Sequence, residues 1–489
     1  MIFLDEYKGF FQKIGIIGIV NIFISLSAII LLPILTKNLS IQNYGIWVQT
    51  SITIILLSNI ITLGLPDTMV RFLSGENDSE KLQNGIFSII IVVIIFAMIS
   101  SVILLILAKP LSVVLFNNDY TVALLLIPII FLYSLNIILI NIFRTLNQIK
   151  TYSLFLLVQT YLNLLLILYF VLHGYGIVGA LMALLISYLF ITISAFILVR
   201  SFIKFKKPNL SVVKEYLSFG MPTLPSALSY WIVDSSDRYL IGIFLSIAFV
   251  GYYSPGYNLG TLILMLMYPF NVLLLPILSK CYDNNEKDKI KIYMRYTQKY
   301  FLLLAIQSAV GLSLLSHTIL NLLTTQAIAA NGYYITPFVA FSTIIFGLYM
   351  NFTQIIYLEK KTHISASIWM LGAIINITLN IIFLPIYGII GAAVSTLIAF
   401  SIILVISTYY SHKYLKFNFE FRYMLKYVIK ITLGSAIMSI FIVMIHPITI
   451  LSTIFSVLVS IVIYLISMFL LKVITNKELN FIKKSVLSP

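Results

Sequence analysis

Three ionisable residues, Asp234, Asp237 and Arg238, stand in one otherwise apolar run of this sequence, residues 217 to 240. A charged group inside hydrocarbon is costly, so it marks a solute path, an ion path or a counter-ion pair. Asp234 and Arg238 are spaced i,i+4, which on a helix lets them pair. Two readings follow. Either the pair neutralises itself near one interface, or all three residues face a cavity, where they contact solute hydroxyls or carry a coupling ion. Pro222 and Pro225, earlier in the same run, favour a bend that exposes backbone carbonyls to such a cavity. Tyr230 in this run and Asn271 in the next either bond between helices or line it. The five histidines are far apart and Cys281 is the single cysteine, so the sequence has neither a metal-ligand spacing nor an intrachain disulfide. No catalytic set is assigned, and the chain is expected not to be an enzyme.

The elements that position these groups are membrane spans. The 489 residues are 61% hydrophobic and 10% charged, with a mean hydropathy of +1.06, against about 45–50% apolar and about 25% charged in soluble domains. No polar segment is long enough to fold alone, which excludes a separate soluble catalytic domain. Apolar runs of about twenty residues, the length that crosses a bilayer, number fourteen between residues 12 and 471, with 217–240 the seventh and 251–277 the eighth. β-Barrel strands would alternate, whereas Ile89 to Leu107 is apolar except for Ser100 and Ser101. With the amino terminus inside, 28 of the 31 Lys and Arg fall on the cytoplasmic side, leaving only Lys37, Lys109 and Arg238. A missed span would destroy this asymmetry, and orientation, not nucleic acid, then accounts for the net charge of +15.

The runs also repeat. Leu39-Ser40-Ile41 followed by Gly45 recurs as Leu245-Ser246-Ile247 followed by Gly251. Tyr175-Gly176-Ile177-Val178-Gly179-Ala180 recurs as Tyr387-Gly388-Ile389-Ile390-Gly391-Ala392. Six spans separate each pair, so the orientation is preserved and the repeats are parallel. The expected fold is all-α and integral to the membrane, with fourteen transmembrane helices. Residues 1–200 form one six-helix bundle, 201–215 a basic cytoplasmic linker, 216–412 a second six-helix bundle, and 413–489 helices 13 and 14 with a tail. Bundles duplicated in this way typically hold a solute site between them and operate by rocking.

The spans in groups of six, six and two, the basic loop between halves, and Phe219-Gly220-Met221-Pro222 leading to Asp237-Arg238-Tyr239 and Gly251-Tyr252-Tyr253 resemble the bacterial polysaccharide-export flippases. These O-antigen repeat-unit flippases belong to the MATE-like multidrug, oligosaccharidyl-lipid and polysaccharide exporter superfamily, and the resemblance covers nearly the whole chain. It implies that undecaprenyl-diphosphate-linked oligosaccharides, O-antigen or capsule repeat units, are moved from the inner to the outer leaflet by alternating access. It further implies a multi-pass protein of the bacterial cytoplasmic (inner) membrane, with both termini cytoplasmic and surrounded by membrane lipids. Polysaccharide polymerase machinery is then a partner and nucleic acid is not. No cofactor is expected, and a Na+ or H+ gradient is the candidate drive.

A diphosphate headgroup calls for Arg or Lys. Arg71 follows span two, Arg144 ends span four and Lys280 follows span eight; each is otherwise an ordinary positive-inside anchor. Arg144 leads because Asn136 and Asn141 precede it on a span with a polar face. Drug-exporting relatives usually carry an acidic residue in the first helix, and peptidoglycan-precursor flippases tend to place arginines there. This sequence has no charge between Lys13 and Lys37. The alternatives are a cation-coupled multidrug or small-solute exporter of the same fold and a membrane polysaccharide polymerase or ligase. The latter typically needs large outer loops with basic residues, which the short outer loops here lack.

Overall fold

Residues 2–202, 210–415 and 421–473 are described by the computed structural model. Over these residues the chain is helical and holds no strand. It divides into two compact units between Gly251 and Tyr252.

The first unit holds α1 (Ile2–Asn38), α2 (Ile41–Thr62), the short α3 (Leu65–Leu73), α4 (Ser79–Leu115), α5 (Tyr120–Thr145), α6 (Ile149–Leu172), α7 (Gly176–Phe202), α8 (Leu210–Gly220) and α9 (Leu224–Phe244). Side-chain oxygens of Ser40, Asp78 and Asp119 accept from the first backbone N–H groups of α2, α4 and α5, groups that have no partner within the helix. Inside the spans, hydroxyls such as those of Thr50, Thr53 and Ser134 donate to the carbonyl four residues back, which satisfies them without water. α5 packs against α2, α4 and α7, and α1 lies mainly on α6. α8 rests on α3 and α4, and α9 on α2 and α4. Packing therefore groups α9 with the first compact unit, whereas the sequence repeat counts it with the second bundle.

The second unit holds most of α10 (Ile247–Thr261), then α11 (Tyr268–Asp283), α12 (Lys287–Leu323), the short α13 (Gln326–Gly332), α14 (Ile335–Leu358), α15 (Thr362–Tyr387), α16 (Ile389–Leu415), α17 (Phe421–Ile445) and α18 (Ile450–Leu470). The α17–α18 hairpin docks on α12 through Phe301, Ile306, Ile431, Met438, Tyr464 and Met468. The Tyr464 hydroxyl donates to the Leu303 carbonyl at 2.6 Å and the Lys430 ammonium to the Leu471 carbonyl at 2.7 Å. Asn376 Nδ2 donates to Thr396 Oγ1 at 3.4 Å between α15 and α16, and Trp369 Nε1 to the Tyr349 hydroxyl at 2.8 Å between α15 and α14.

Among the described residues twelve helices are long and apolar enough to cross a membrane. They coincide with twelve of the fourteen expected runs, and large apolar side chains such as Ile106, Met444 and Leu451 are more than two-thirds exposed on them, as lipid-facing groups are. The expected runs 217–240 and 251–277 fall on broken helices. A 3-10 turn, Met221–Thr223, precedes α9, and another, Leu262–Leu266, separates α10 from α11. Pro222 and Pro225 sit in the first turns of the 3-10 segment and of α9, where a missing N–H costs least. α9 carries three charged residues, and α10 and α11 are only 15 and 16 residues long.

Candidate functional site

α9 delivers the charged residues into the interior of the first unit. Asp237 is fully buried and Arg238 is 5% exposed. The Arg238 guanidinium bonds the Asp237 carboxylate at 3.0 Å and also donates to the Asp234 backbone carbonyl. The Arg238 backbone N–H donates to Asp237 Oδ1 at 2.8 Å, and Ser235 Oγ donates to Asp234 Oδ2 at 3.0 Å. A buried pair of this kind gains less from mutual attraction than it loses in hydration unless further hydrogen bonds complete it; the backbone bonds here do so. α2 supplies the facing wall. Tyr44 is buried within electrostatic reach of Arg238. Thr53 spends its proton on the Gln49 carbonyl, so the Tyr239 hydroxyl donates to Thr53 Oγ1, 2.5 Å away. Trp231 packs edge-on against Tyr239, with centroids 5.6 Å apart.

Gln49 completes this wall, and the sequence reading did not single it out. It is fully buried, and among the described residues neither Oε1 nor Nε2 has a hydrogen-bond partner. Each unsatisfied buried group costs about 1–3 kcal/mol, so this position is a reservoir of unmet polarity one helical turn from the Thr53–Tyr239 contact. Gln49→Leu should therefore raise the melting temperature of the detergent-solubilised protein by a few degrees. An unchanged or lowered midpoint would mean that the amide is solvated or bonded in the folded protein.

One turn before Gln49, α2 meets α10 at the repeated motif. A Cβ on Gly45 would collide with the Ile247 carbonyl, and a Cβ on Gly251 would stand 2.6 Å from the Ile41 carbonyl. Each glycine of the repeat thus packs on the first helical residue of the other copy. The other end of α2 is equally close: Gly64, at φ +69°, lies against the Gly220 carbonyl. Only glycine tolerates both the left-handed φ and the contact.

The remaining sequence candidates scatter. Arg144 is exposed at the end of α5, 3.7 Å from Asp67 of α3 and 3.5 Å from Asn141 Oδ1. Arg71 is exposed in the last turn of α3, the helix that carries Asp67. Lys280 is exposed on α11, Tyr230 is 38% exposed on α9, and the side chain of Asn271 lies outside the described residues. Asp234, Asp237 and Arg238 come together. Lys299, expected only as a positive-inside anchor, is instead 2% exposed, with its ammonium 4.8 Å from the centroid of the Tyr427 ring. Residues 203–209, with Lys204, Lys206 and Lys207 of the basic linker, and 474–489 fall outside the described residues.

The profile of a family described as polysaccharide biosynthesis protein matches residues 10–282, and that of the MatE family matches residues 222–382. The probable low-salt glycan biosynthesis flippase Agl15 of Haloferax volcanii is 20% identical over 215 residues, 44% of this chain and 45% of that flippase, so the match spans under half of its length. An uncharacterized membrane protein of Methanocaldococcus jannaschii is 22% identical over 73% of this chain and 75% of its own. Among solved structures, a lipid II flippase MurJ in an inward closed conformation superposes with a TM-score of 0.72 at 20% identity, covering 92% of this chain and 97% of that one. An inward-facing multidrug resistance MATE family transporter gives 0.66 at 14% identity over 82% and 98%. These two likenesses are of fold, and the fold is that of the MATE and MurJ transporters.

Proposed function

We propose, from the premise that this chain belongs to the polysaccharide biosynthesis protein family, that it flips oligosaccharides linked to a polyprenyl diphosphate from the cytoplasmic to the outer leaflet of the cell membrane. Undecaprenyl is the carrier expected from the resemblance in sequence, and an O-antigen or capsule repeat unit is the cargo. The observation that carries the reading is the Asp237–Arg238 pair, buried on a helix that starts at a 3-10 break. An ionisable pair inside a membrane is costly and marks a functional site by default, and transporters use such charge together with interrupted helices to meet their solutes. The small-solute exporter has the MatE match in its favour. Against it stands the first helix, which has no carboxylate between Lys13 and Lys37 to hold a coupling cation.

The mechanism is alternating access by fourteen spans, with α9 and the broken α10–α11 stretch as the seventh and eighth. The repeated motif supplies the closed end. Gly45 and Gly251 let the starts of α2 and α10 pack backbone to backbone, which seals the outer face over Gln49 and the α9 charges. When that contact parts, Gln49 recovers hydrogen-bond partners, and this gain lowers the cost of opening. Arg144 and Arg71 stand at the cytoplasmic entrance, where Asp67 holds Arg144 until an incoming diphosphate displaces the carboxylate.

Deleting the gene is the test in cells. Surface polysaccharide should fall while lipid-linked repeat units accumulate on the inner leaflet. If intact units still reach the outer leaflet at the normal rate, in a strain with no redundant flippase, the assignment is wrong.

A further inference from the structure

The first unit holds a half-open cavity of about 280 Å³ between α1, α2, α5, α6 and α7, apart from the charged residues of α9. We propose that this cavity binds a single uncharged sugar ring; the inference rests on the flippase reading and names which part of the cargo the first unit contacts. The volume falls just below the about 300–1,000 Å³ usual for small-ligand sites. It suits one ring and not a whole diphosphate-linked unit.

The lining sets the chemistry. Trp47, Tyr133 and Tyr188 contribute aromatic faces, and the last two rings lie 5.0 Å apart at 40°. Flat apolar faces beside a few placed polar groups fit a ring that has C–H faces and a hydroxyl rim. Beside the hydroxyls of Tyr133 and Tyr188, the lining carries spare acceptors. Ser27, Ser51 and Thr160 each spend the hydroxyl proton on their own helix, donating to Ile24, Trp47 and Leu156 carbonyls at 2.6, 2.8 and 2.8 Å. Their lone pairs remain. The Asn163 side chain is in hydrogen-bond reach of the Tyr188 hydroxyl, yet its Oδ1 is buried with no donor among the described residues. These spare acceptors favour a ligand that brings protons, and the Tyr hydroxyls can donate in return; sugar hydroxyls do both.

A cation would also be attracted to acceptors and rings. Among the described residues no carboxylate, Lys, Arg or His lines the cavity, however, so a buried cation would lack a counter-charge, which is the arrangement interiors disfavour most. A neutral polyol meets no such penalty.

Equilibrium dialysis decides the matter. Protein in lipid nanodiscs is titrated with radiolabelled glucose, galactose and N-acetylglucosamine, and separately with tetraphenylphosphonium. At least one sugar should bind saturably, and Asn163→Leu should weaken it by about tenfold or more, the equivalent of one good hydrogen bond to a buried acceptor. Tyr133→Phe, which keeps the ring and removes one hydroxyl, guards against a misfolded Asn163 variant and should weaken the same sugar by a smaller factor. Thermal melting verifies that both variants fold. Absence of saturable binding for all three sugars overturns the proposal. So does sugar binding that both variants leave unchanged, and so does saturable tetraphenylphosphonium binding that the same substitutions weaken. If the wild type flips lipid-linked oligosaccharide but binds no sugar here, only this inference fails; if it binds sugar but flips nothing, the flippase reading fails and the site stands.

Discussion

Arg238→Ala should reduce export to a small fraction of wild type and lower the amount of protein in the membrane. The substitution leaves the fully buried Asp237 carboxylate without the guanidinium 3.0 Å away. Breaking a buried pair in this way costs about 3–5 kcal/mol, a large share of the about 5–15 kcal/mol that holds a typical protein folded. Abundance alone therefore does not report function. The informative variant is Asp237→Leu with Arg238→Met, since replacing both members of a buried pair by apolar groups of similar volume is often neutral for stability. If the pair serves transport, the double variant reaches wild-type abundance and exports below about a tenth of the wild-type rate, a loss above about 1.4 kcal/mol. Restored export in the double variant would make the pair a structural neutraliser and shift attention to Arg144. Asp234→Asn, which retains the backbone carbonyl that Arg238 bonds, should lower export less than Arg238→Ala.

Gly251→Val should block transport with the protein still folded and membrane-embedded. A Cβ there stands 2.6 Å from the Ile41 carbonyl, so α10 and α2 must separate. Gly45→Val should act in the same way from the opposite side. Gly242→Ala is the control: its Cβ would meet nothing closer than Gln49 Nε2 at 3.6 Å, an ordinary contact, and export should be unchanged. Thiol labelling separates a blocked gate from misfolding. In a Cys281→Ser background, Gln49→Cys should react slowly with a membrane-impermeant reagent added outside. Adding Gly251→Val should accelerate that reaction by about tenfold or more, because the cost of burying an opposed Cβ and carbonyl exceeds about 1.4 kcal/mol. Equal rates with and without the valine would mean that this contact does not close the outer face.

The twelve qualifying spans were legible because apolar runs of about twenty residues have few alternatives in a chain this hydrophobic. One of the two remaining runs contained its own warning. Pro222 and Pro225 marked the break before α9, and the polarity of Asp234, Asp237 and Arg238 is what removes α9 from the set of plainly apolar helices. The 3-10 turn at Leu262–Leu266 had no such marker, since five aliphatic residues fit a straight helix equally well. Short elements were lost for the same reason: α3, at nine residues, lay in what read as a loop, and with it went the Arg144–Asp67 contact.

Within the site, charge was visible and partnership was not. The i,i+4 spacing drew attention to Asp234 and Arg238, and the guanidinium also takes the Asp237 carboxylate, next to it in the chain. Adjacent residues can pair when a long side chain folds back along its own helix, which face geometry alone does not suggest. Gln49 and Asn163 are single polar residues within apolar helices, and sequence carries no sign of whether such a group bonds to a neighbour or faces a cavity. The repeat made Gly45 and Gly251 visible as equivalents. Their reciprocal contact required the fold.

The most direct test uses purified protein in vesicles that carry a fluorescent oligosaccharide on a polyprenyl diphosphate in both leaflets. A membrane-impermeant glycosidase or quencher added outside reports the fraction of cargo that is protected inside. With the wild-type protein the protected fraction should fall from about half toward zero at a rate well above that of protein-free vesicles, since an unassisted diphosphate headgroup does not cross hydrocarbon. The Asp237→Leu/Arg238→Met variant should leave the fraction near half. A protected fraction that stays near half with folded wild-type protein, under imposed Na+ and H+ gradients of either direction, would contradict the account.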